Sequence, residues 1–266
     1  MGFETVYKRL GVVIVEHALD QDRDLAALDR AFGPVERGSF GVGSRGVSSS
    51  PSSSDHATSD SALTATNPVS LVPADLADWA ETHPVFINLA SRLLAAPAQL
   101  VRIVPVDETR PAHWLAPWRQ VRQIAVEERF RVSGFRNWSE RDGVWLVEPP
   151  DWVLQQTVVL RVYLDDCRAL NGPFEVLTNT HEQGRMKRVD IAEAAKESKA
   201  LTCLCDRGDI LALSPLALRR RHRASKLNRG RVVELTLSAA NLPEPISWAP
   251  LVPELETLTA QMKLDD

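Results

Sequence analysis

The clearest strand pattern of the chain lies at Gln155 to Leu164 and reads Gln-Gln-Thr-Val-Val-Leu-Arg-Val-Tyr-Leu. It is rich in β-branched residues, which pack well on a pleated surface. Turn residues such as Asn171-Gly172-Pro173 follow it. More short strands are then predicted at Phe174 to Leu177, Ala200 to Cys205, Asp209 to Leu213 and Arg231 to Leu237. Several short strands separated by turns are typical of a β-sandwich or barrel.

Helices are predicted mainly in the first third of the chain. A short buried strand at Gly11 to Val15 comes first, and a helix capped by Asp20 or Asp22 then runs to about Phe32. Other predicted helices cover Ala74 to Glu81, Pro84 to Leu94 and Val189 to Ser198. Helices first and many short strands afterwards indicate an α+β domain.

The middle of the chain is predicted to add strands at Ala98 to Val106 and Leu115 to Val126. The polar stretch from Arg129 to Glu148 is predicted to be a surface excursion over the strand ends.

We predict one domain over residues 1–266, with a Ser- and Gly-rich loop at about 33–60. That loop cannot bury enough apolar surface to offset its ordering entropy, so it is expected to be disordered or to serve as a lid. A C-terminal tail is expected from about residue 239 to 266, with a short helix from Pro253 to Lys263.

Charge and cysteine content exclude several classes of partner. The net charge of −4 and the pI near 5.9 do not favour nucleic acid or an anionic membrane. No apolar run approaches the roughly 20 residues of a membrane span, and no signal peptide is evident. The 3 cysteines form no Cys-X-X-Cys pair, so we expect a reduced, cytoplasmic setting.

The segment Trp118-Arg119-Gln120-Val121 alternates large and polar residues after a proline. On a strand, Arg119 and Val121 would point to one face, and Trp118 and Gln120 to the other.

Several stretches of the second half follow one another in a specific order and spacing, beginning with this segment. Pro117 to Val121 reads Pro-Trp-Arg-Gln-Val. Leu160 to Cys167 reads Leu-Arg-Val-Tyr-Leu-Asp-Asp-Cys, and Asn171 to Val176 reads Asn-Gly-Pro-Phe-Glu-Val. The remaining pieces are Thr180-His181, Asp209 to Leu211 with Pro215-Leu216, His222 to Lys226, and Arg231 to Val233.

These stretches resemble the phytanoyl-CoA dioxygenase family of non-haem iron, 2-oxoglutarate-dependent oxygenases. The corresponding family motifs read Pro-Trp-His-Gln-Asp, Leu-Arg-Leu-His-Leu-Asp-Asp-Cys and Asn-Gly-Pro-Leu-Arg-Val, followed by a Ser-His pair. The resemblance covers roughly residues 95 to 240. It implies an α+β fold whose core is a double-stranded β-helix, or jelly roll, with helices packed on one side.

The resemblance also implies where iron ligands would lie. In the family, two His and one Asp form a facial triad that holds iron. The first His falls on Arg119 and the Asp on Val121. A guanidinium has no lone pair for a metal, and a valine side chain cannot act as a ligand. The third ligand falls on His222 when counted back from Ser225 and Lys226, and on Arg219 when counted forward from Pro215.

Other residues are poor candidates to rebuild the site. His113 shares the strand parity of Arg119, but six strand residues place it roughly 20 Å away. Asp165, Asp166 and His181 fall on family positions outside the triad.

Arg231 falls where the family has an Arg that pairs with the far carboxylate of 2-oxoglutarate. A bidentate guanidinium is the expected partner for a carboxylate in a barrel mouth. The other interpretation is a plain surface arginine, because Arg231 follows a basic stretch.

Two functions remain open. The first is a family member that has lost iron, with Arg119 as the candidate catalytic residue, no cofactor, and a small molecule as ligand or substrate. It would catalyse a non-redox step such as a cyclisation or isomerisation, or only bind a ligand as a pseudoenzyme. The alternative is an active Fe(II)- and 2-oxoglutarate-dependent hydroxylase of a small molecule in specialised metabolism.

Overall fold

We examined the protein as a computed structural model, which describes residues 2–20, 22–32, 74–107, 117–141, 143–222 and 230–251. The predicted loop at 33–60, His113 and the predicted helix from Pro253 to Lys263 lie outside these ranges.

The helices lie on the outside of a strand-built core. They are α1 (Phe3–Leu10), α2 (Asp24–Phe32), α3 (Ala74–Thr82), α4 (Pro84–Leu94), α5 (Asp151–Gln155) and α6 (Arg188–Glu197). The strands are β1 (Val12–Val15), β2 (Gln99–Asp107), β3 (Ile124–Val126), β4 (Arg136–Arg141), β5 (Val144–Glu148), β6 (Thr157–Tyr163), β7 (Phe174–Leu177), β8 (Ala200–Cys203), β9 (Ile210–Leu213), β10 (Leu218–Arg221) and β11 (Arg231–Ser238).

Two antiparallel sheets enclose the core. The larger has the order β1-β9-β6-β11-β2, and the smaller has the order β10-β7-β8. Side chains from both, such as Val159 and Tyr163 from β6 and Phe174 and Val176 from β7, pack together between them. The outer face of the larger sheet packs on the helices. The predicted α+β jelly roll is confirmed. Helices α1 to α4 pack on the larger sheet as expected, whereas α6 packs on the outer face of the smaller sheet.

Strand β11 shows how residues are divided between the two layers. Val233, Leu235 and Leu237 are buried against the helices. Val232 packs in the core between the sheets, so the alternation of side chains directs Glu234 and Thr236 to the same side. Even-numbered residues of β11, such as Val232 and Glu234, therefore face the barrel interior, whereas odd-numbered ones, such as Val233 and Leu235, face the helices.

The stretch from Arg129 to Glu148, predicted to be a surface excursion, has regular strand structure that was not predicted. The stretch contains the hairpin of β4 and β5, in which Arg141 pairs with Val144. The mostly polar, exposed residues of β4 conceal its strand character. The Asp142-Gly143 dipeptide, a strong hairpin signal, could have revealed it.

Three further differences separate prediction from structure. Helix α1 and strand β10 were not predicted, and the strand predicted at Leu115 to Val126 is regular only in β3. Of the described helices, none is long and apolar enough to cross a membrane.

Candidate functional site

The segment Trp118 to Val121 lies beside β10 and extends the smaller sheet. The backbone N–H groups of Arg119 and Arg219 each donate to the carbonyl oxygen of the other residue, both at 3.0 Å. The N–H of Val121 donates to the carbonyl oxygen of Pro215 at 2.8 Å. Arg119 therefore stands directly opposite Arg219 in an antiparallel bridge.

Gln120 fixes the segment from its outer face. Its buried side chain donates from Nε2 to the carbonyl oxygens of Gly184 at 2.8 Å and Leu216 at 2.7 Å. Its Oε1 accepts a hydrogen bond from the N–H of Met186 at 2.9 Å. The three hydrogen bonds fix the position of the backbone at Gln120. Because side chains alternate along an extended segment, those of Arg119 and Val121 point to the opposite, inner face.

Trp118 lies on the same outer face as Gln120. It packs against the cluster formed by Leu177, Met186 and Leu218. The guanidinium of Arg220 lies over its ring at 4.3 Å and bonds to Glu175 at 2.6 Å. This outer layer explains the predicted alternation, in which large and amide side chains face out while Arg119 and Val121 face in.

Arg219 points into the barrel from β10. Its neighbour Ala217 belongs to the core between the sheets, whereas Leu218 belongs to the outer cluster. Arg219 is only 5% exposed, and Arg119 is half-buried beside it. Two guanidinium groups thus enter the barrel from paired backbone positions.

The larger sheet contributes Arg161 and Glu234 on adjacent strands. These residues are direct cross-strand partners, and Arg161 Nη1 lies 2.6 Å from Glu234 Oε2. Arg161 is buried, and its guanidinium lies 4.4 Å from the ring centre of Phe174. This ion pair lies on the inner face of the larger sheet, and its charges act on the two arginines of the other side.

Electrostatic interactions join these groups into one cluster. Burial alone would raise the pKa of Glu234, but the charges of Arg161 and Arg219 outweigh it and hold that pKa below its usual value. Burial lowers the pKa of Arg219 to about 10; Glu234 opposes this shift, whereas Arg119 adds to it. Burial also lowers the pKa of Arg119. Glu234 is therefore ionised at neutral pH, and the arginines remain cations.

The polar end of the barrel is open to solvent. Arg119, Val121, Glu234 and Thr236 keep partial exposure although they point between the sheets. The other end is filled by buried apolar side chains and by the 3 cysteines, all of which are buried. Arg102 lies opposite Thr236 on the neighbouring strand, and the charges of Glu234 and Arg141 both act on it. At this end the charged side chains are mostly cationic.

The structure does not bring His222 to Arg119. His222 is exposed, follows the end of β10, and donates its backbone N–H to the carbonyl oxygen of Pro173. It lies three positions after Arg219, which is about 10 Å along an extended chain, and its strand parity is opposite. Of the two candidates for the third ligand position, Arg219 is the one that faces Arg119. The assignment of His222 as a weak metal ligand stays a prediction.

Arg231 lies on the outer face of β11. Its guanidinium binds Asp165 through Nε and Nη2, at 2.9 and 2.8 Å, and Asp29 of α2 through Nη1 at 2.8 Å. The predicted role in carboxylate binding stays untested. Its guanidinium is occupied by two aspartates, on the face opposite to Glu234.

Replacing Arg231 by Ala is expected to lower the free energy of unfolding by about 2 kcal/mol, because it removes a largely buried ion pair and leaves Asp165 without that partner. Denaturant unfolding measures the loss. Arg168→Ala is the matched control, since Arg168 pairs with Asp166 and Asp206 in an exposed site, where the loss is expected to be much smaller than for Arg231→Ala. Equal losses for the two variants would contradict the structural role of Arg231.

The residues at the three ligand positions do not fit ferrous iron. Arg119 and Arg219 offer only protonated nitrogens, and Val121 offers a hydrocarbon. Within the part of the chain that the structure describes, no group of three or more His, Cys, Asp and Glu side chains could hold a metal ion. The expected absence of a metal is still a prediction, because other residues lie outside the described ranges.

Known proteins were compared with the chain. Of the solved structures that resemble it, SnoN, a non-heme alpha ketoglutarate dependent epimerase from nogalamycin biosynthesis, superposes with a TM-score of 0.57 at 15% identity, covering 95% of each chain. SnoK, a non-heme alpha ketoglutarate dependent carbocyclase of the same biosynthesis, gives 0.60 at 11% identity, covering 97% of this chain and 89% of its own. AviO1 from Streptomyces viridochromogenes Tue57 gives 0.55 at 16% identity, covering 94% and 96%.

These identities establish the fold alone. A search of curated protein sequences found no match. The family model "Phytanoyl-CoA dioxygenase (PhyH)" matches residues 7–218, which is most of the chain. The chain therefore belongs to the phytanoyl-CoA dioxygenase family.

Proposed function

We propose that this family member has lost the iron site and binds or converts a small molecule without a metal. The main support for the proposal is the pairing of Arg119 with Arg219 in an antiparallel bridge. The two arginines stand where the first and third ligands would stand. Val121 occupies the second position on the same inward face. With Arg219 as the third position, none of the three offers a lone pair to a metal, so the change concerns the whole ligand set and not a single residue.

The pocket can still orient a ligand and stabilise negative charge. Arg119 and Arg219 place fixed cations at the polar end of the barrel, where partial burial strengthens their interaction with an anion. Such preorganised charges favour a reaction in which an oxyanion develops, as in an isomerisation or cyclisation. The same charges would serve a ligand-binding pseudoenzyme, with Arg119 as the residue that contacts the ligand.

The second candidate is an active Fe(II)- and 2-oxoglutarate-dependent hydroxylase. Family membership supports it, and so do the neighbours. SnoN has been solved in complex with Fe3+, alpha ketoglutarate (2-oxoglutarate) and nogalamycin RO. The ligand positions of the present chain oppose it.

An uncoupled turnover assay separates the candidates. The purified protein is incubated with Fe(II), 2-oxoglutarate, ascorbate and oxygen, and succinate release is measured against an iron-free sample. We expect no iron-dependent succinate, because the three ligand positions have no lone pair to offer. Succinate that accumulates with repeated turnover and requires iron would establish the hydroxylase and overturn the proposal.

A further inference from the structure

Arg219 carries a buried positive charge, and none of the described carboxylates forms an ion pair with it. Its Nη1 is buried and has no hydrogen-bond partner in the described ranges. Burying a charge is costly unless the group is paired and hydrogen-bonded, and the attraction of nearby Glu234 does not offset the loss of water at Arg219. An apolar side chain at this position would avoid that cost.

The neighbours of Arg219 increase that cost. Arg119 stands directly opposite, and like charges at directly opposite positions destabilise an antiparallel pair. Arg161 also lowers the pKa of Arg219 by its charge. Within the described part of the site, the guanidinium groups of Arg119, Arg161 and Arg219 face one carboxylate, Glu234, which is already bonded to Arg161, and Arg102 adds a further cation near the opening. Among the described residues, no bonded carboxylate balances the charges of Arg119 and Arg219.

We infer that Arg119 and Arg219 bind the acid group of a small dianionic molecule, either a dicarboxylate or a phosphate monoester. The inference rests on the proposed function, since it needs the ligand positions to be free of iron. Planar guanidinium groups match the geometry of carboxylate and phosphate oxygens, and a dianion balances the two surplus charges. The position that holds a cation in the family would thus hold an anion here.

Arg219→Met tests the inference through stability and binding together. If Arg219 is kept for a ligand, the ligand-free variant is expected to melt higher than wild type, by on the order of 3 °C, because a buried unpaired charge becomes an apolar side chain. Affinity for the dianion is expected to fall about 30-fold or more. A purely structural arginine would give the opposite change in melting temperature.

The probes are succinate, 2-oxoglutarate and inorganic phosphate, with acetate as a monoanion and succinamide as a neutral analogue. Calorimetric titration and thermal melting at low ionic strength compare them on wild type. We expect succinate, 2-oxoglutarate or phosphate to raise the melting temperature, and acetate and succinamide to have little effect. Preference for the dicarboxylates or for phosphate identifies the kind of acid group.

Arg220→Met is the matched control. Arg220 lies on the same strand but points to the outer face, where it pairs with Glu175 and covers Trp118. Arg220→Met removes the same net charge as Arg219→Met. We expect this variant to bind the dianion within about 2-fold of wild type and to have a lower melting temperature. Equal loss of binding in both variants would mean that only overall charge matters, and would overturn the inference.

Two other results would also overturn it. One is that no dianion binds wild type more tightly than acetate does. The other is that Arg219→Met melts below wild type. The failure of this inference differs from the failure of the proposed function: a protein without iron and without anion binding contradicts only the inference, whereas iron-dependent succinate release contradicts the proposed function.

Discussion

The triple variant Arg119→His, Val121→Asp, Arg219→His is expected to bind one equivalent of Co(II) or Fe(II), with a Kd on the order of 1 μM, about 8 kcal/mol of binding free energy. Positions 119 and 121 share the inward face of one segment, and position 219 stands opposite 119. Donors placed there converge on one point, and two repelling charges are removed. The visible absorption of Co(II) reports both the stoichiometry and the coordination.

The double variant Arg119→His, Val121→Asp is the control for the third position. With Arg219 retained, the site has two donors and a facing cation, so we expect metal affinity at least about tenfold lower than in the triple variant. Equal affinity in the two variants would mean that His222 or another residue supplies the third ligand. That result would contradict the assignment of this position to Arg219.

Replacing Gln120 by Leu is expected to lower the free energy of unfolding by about 3 to 5 kcal/mol, because three buried backbone groups lose their partner at about 1 to 3 kcal/mol each, partly offset by relaxation. The groups are the N–H of Met186 and the carbonyl oxygens of Gly184 and Leu216. The loss is measured by denaturant unfolding. Anion binding is expected to weaken as well, because Gln120 fixes the backbone that carries Arg119.

Gln123→Leu is the control for that substitution. Gln123 makes only long side-chain contacts, at 3.4 and 3.3 Å, on an exposed surface. We expect a change of less than about 0.5 kcal/mol. A loss below about 1 kcal/mol for Gln120→Leu would contradict the view that this amide holds the site together.

The sequence located one side of the pocket because the information there is local. Alternation in Trp118 to Val121 and the family motif together indicated which residues face inward, and the structure places Arg119 and Val121 on that face. The position across from Arg119 depends on pairing between segments about a hundred residues apart. Counting along the chain left His222 and Arg219 equally placed, and only the antiparallel bridge distinguishes them.

Strand parity adds information about Arg231 that the motif match does not contain. Val233, Leu235 and Leu237 share the parity of Arg231 and form an apolar face, so a helix-packed side was predictable from the sequence. The same reasoning would have indicated Glu234, a charged residue on the opposite parity within a buried strand. Its partner Arg161 interrupts an apolar strand in the same way. Arg161 and Glu234 are cross-strand partners because β6 and β11 are neighbours in the sheet, and no local sequence pattern predicts that order.

Anaerobic loading of the wild-type protein with Fe(II) and 2-oxoglutarate, followed by desalting and metal analysis, shows whether an arginine pair occupies the place of the family's iron. We expect an iron content far below one equivalent, unchanged in Arg219→Met, because that variant also lacks ligand atoms for the metal. If wild type retained one equivalent of iron, the arginine pair could not occupy that place.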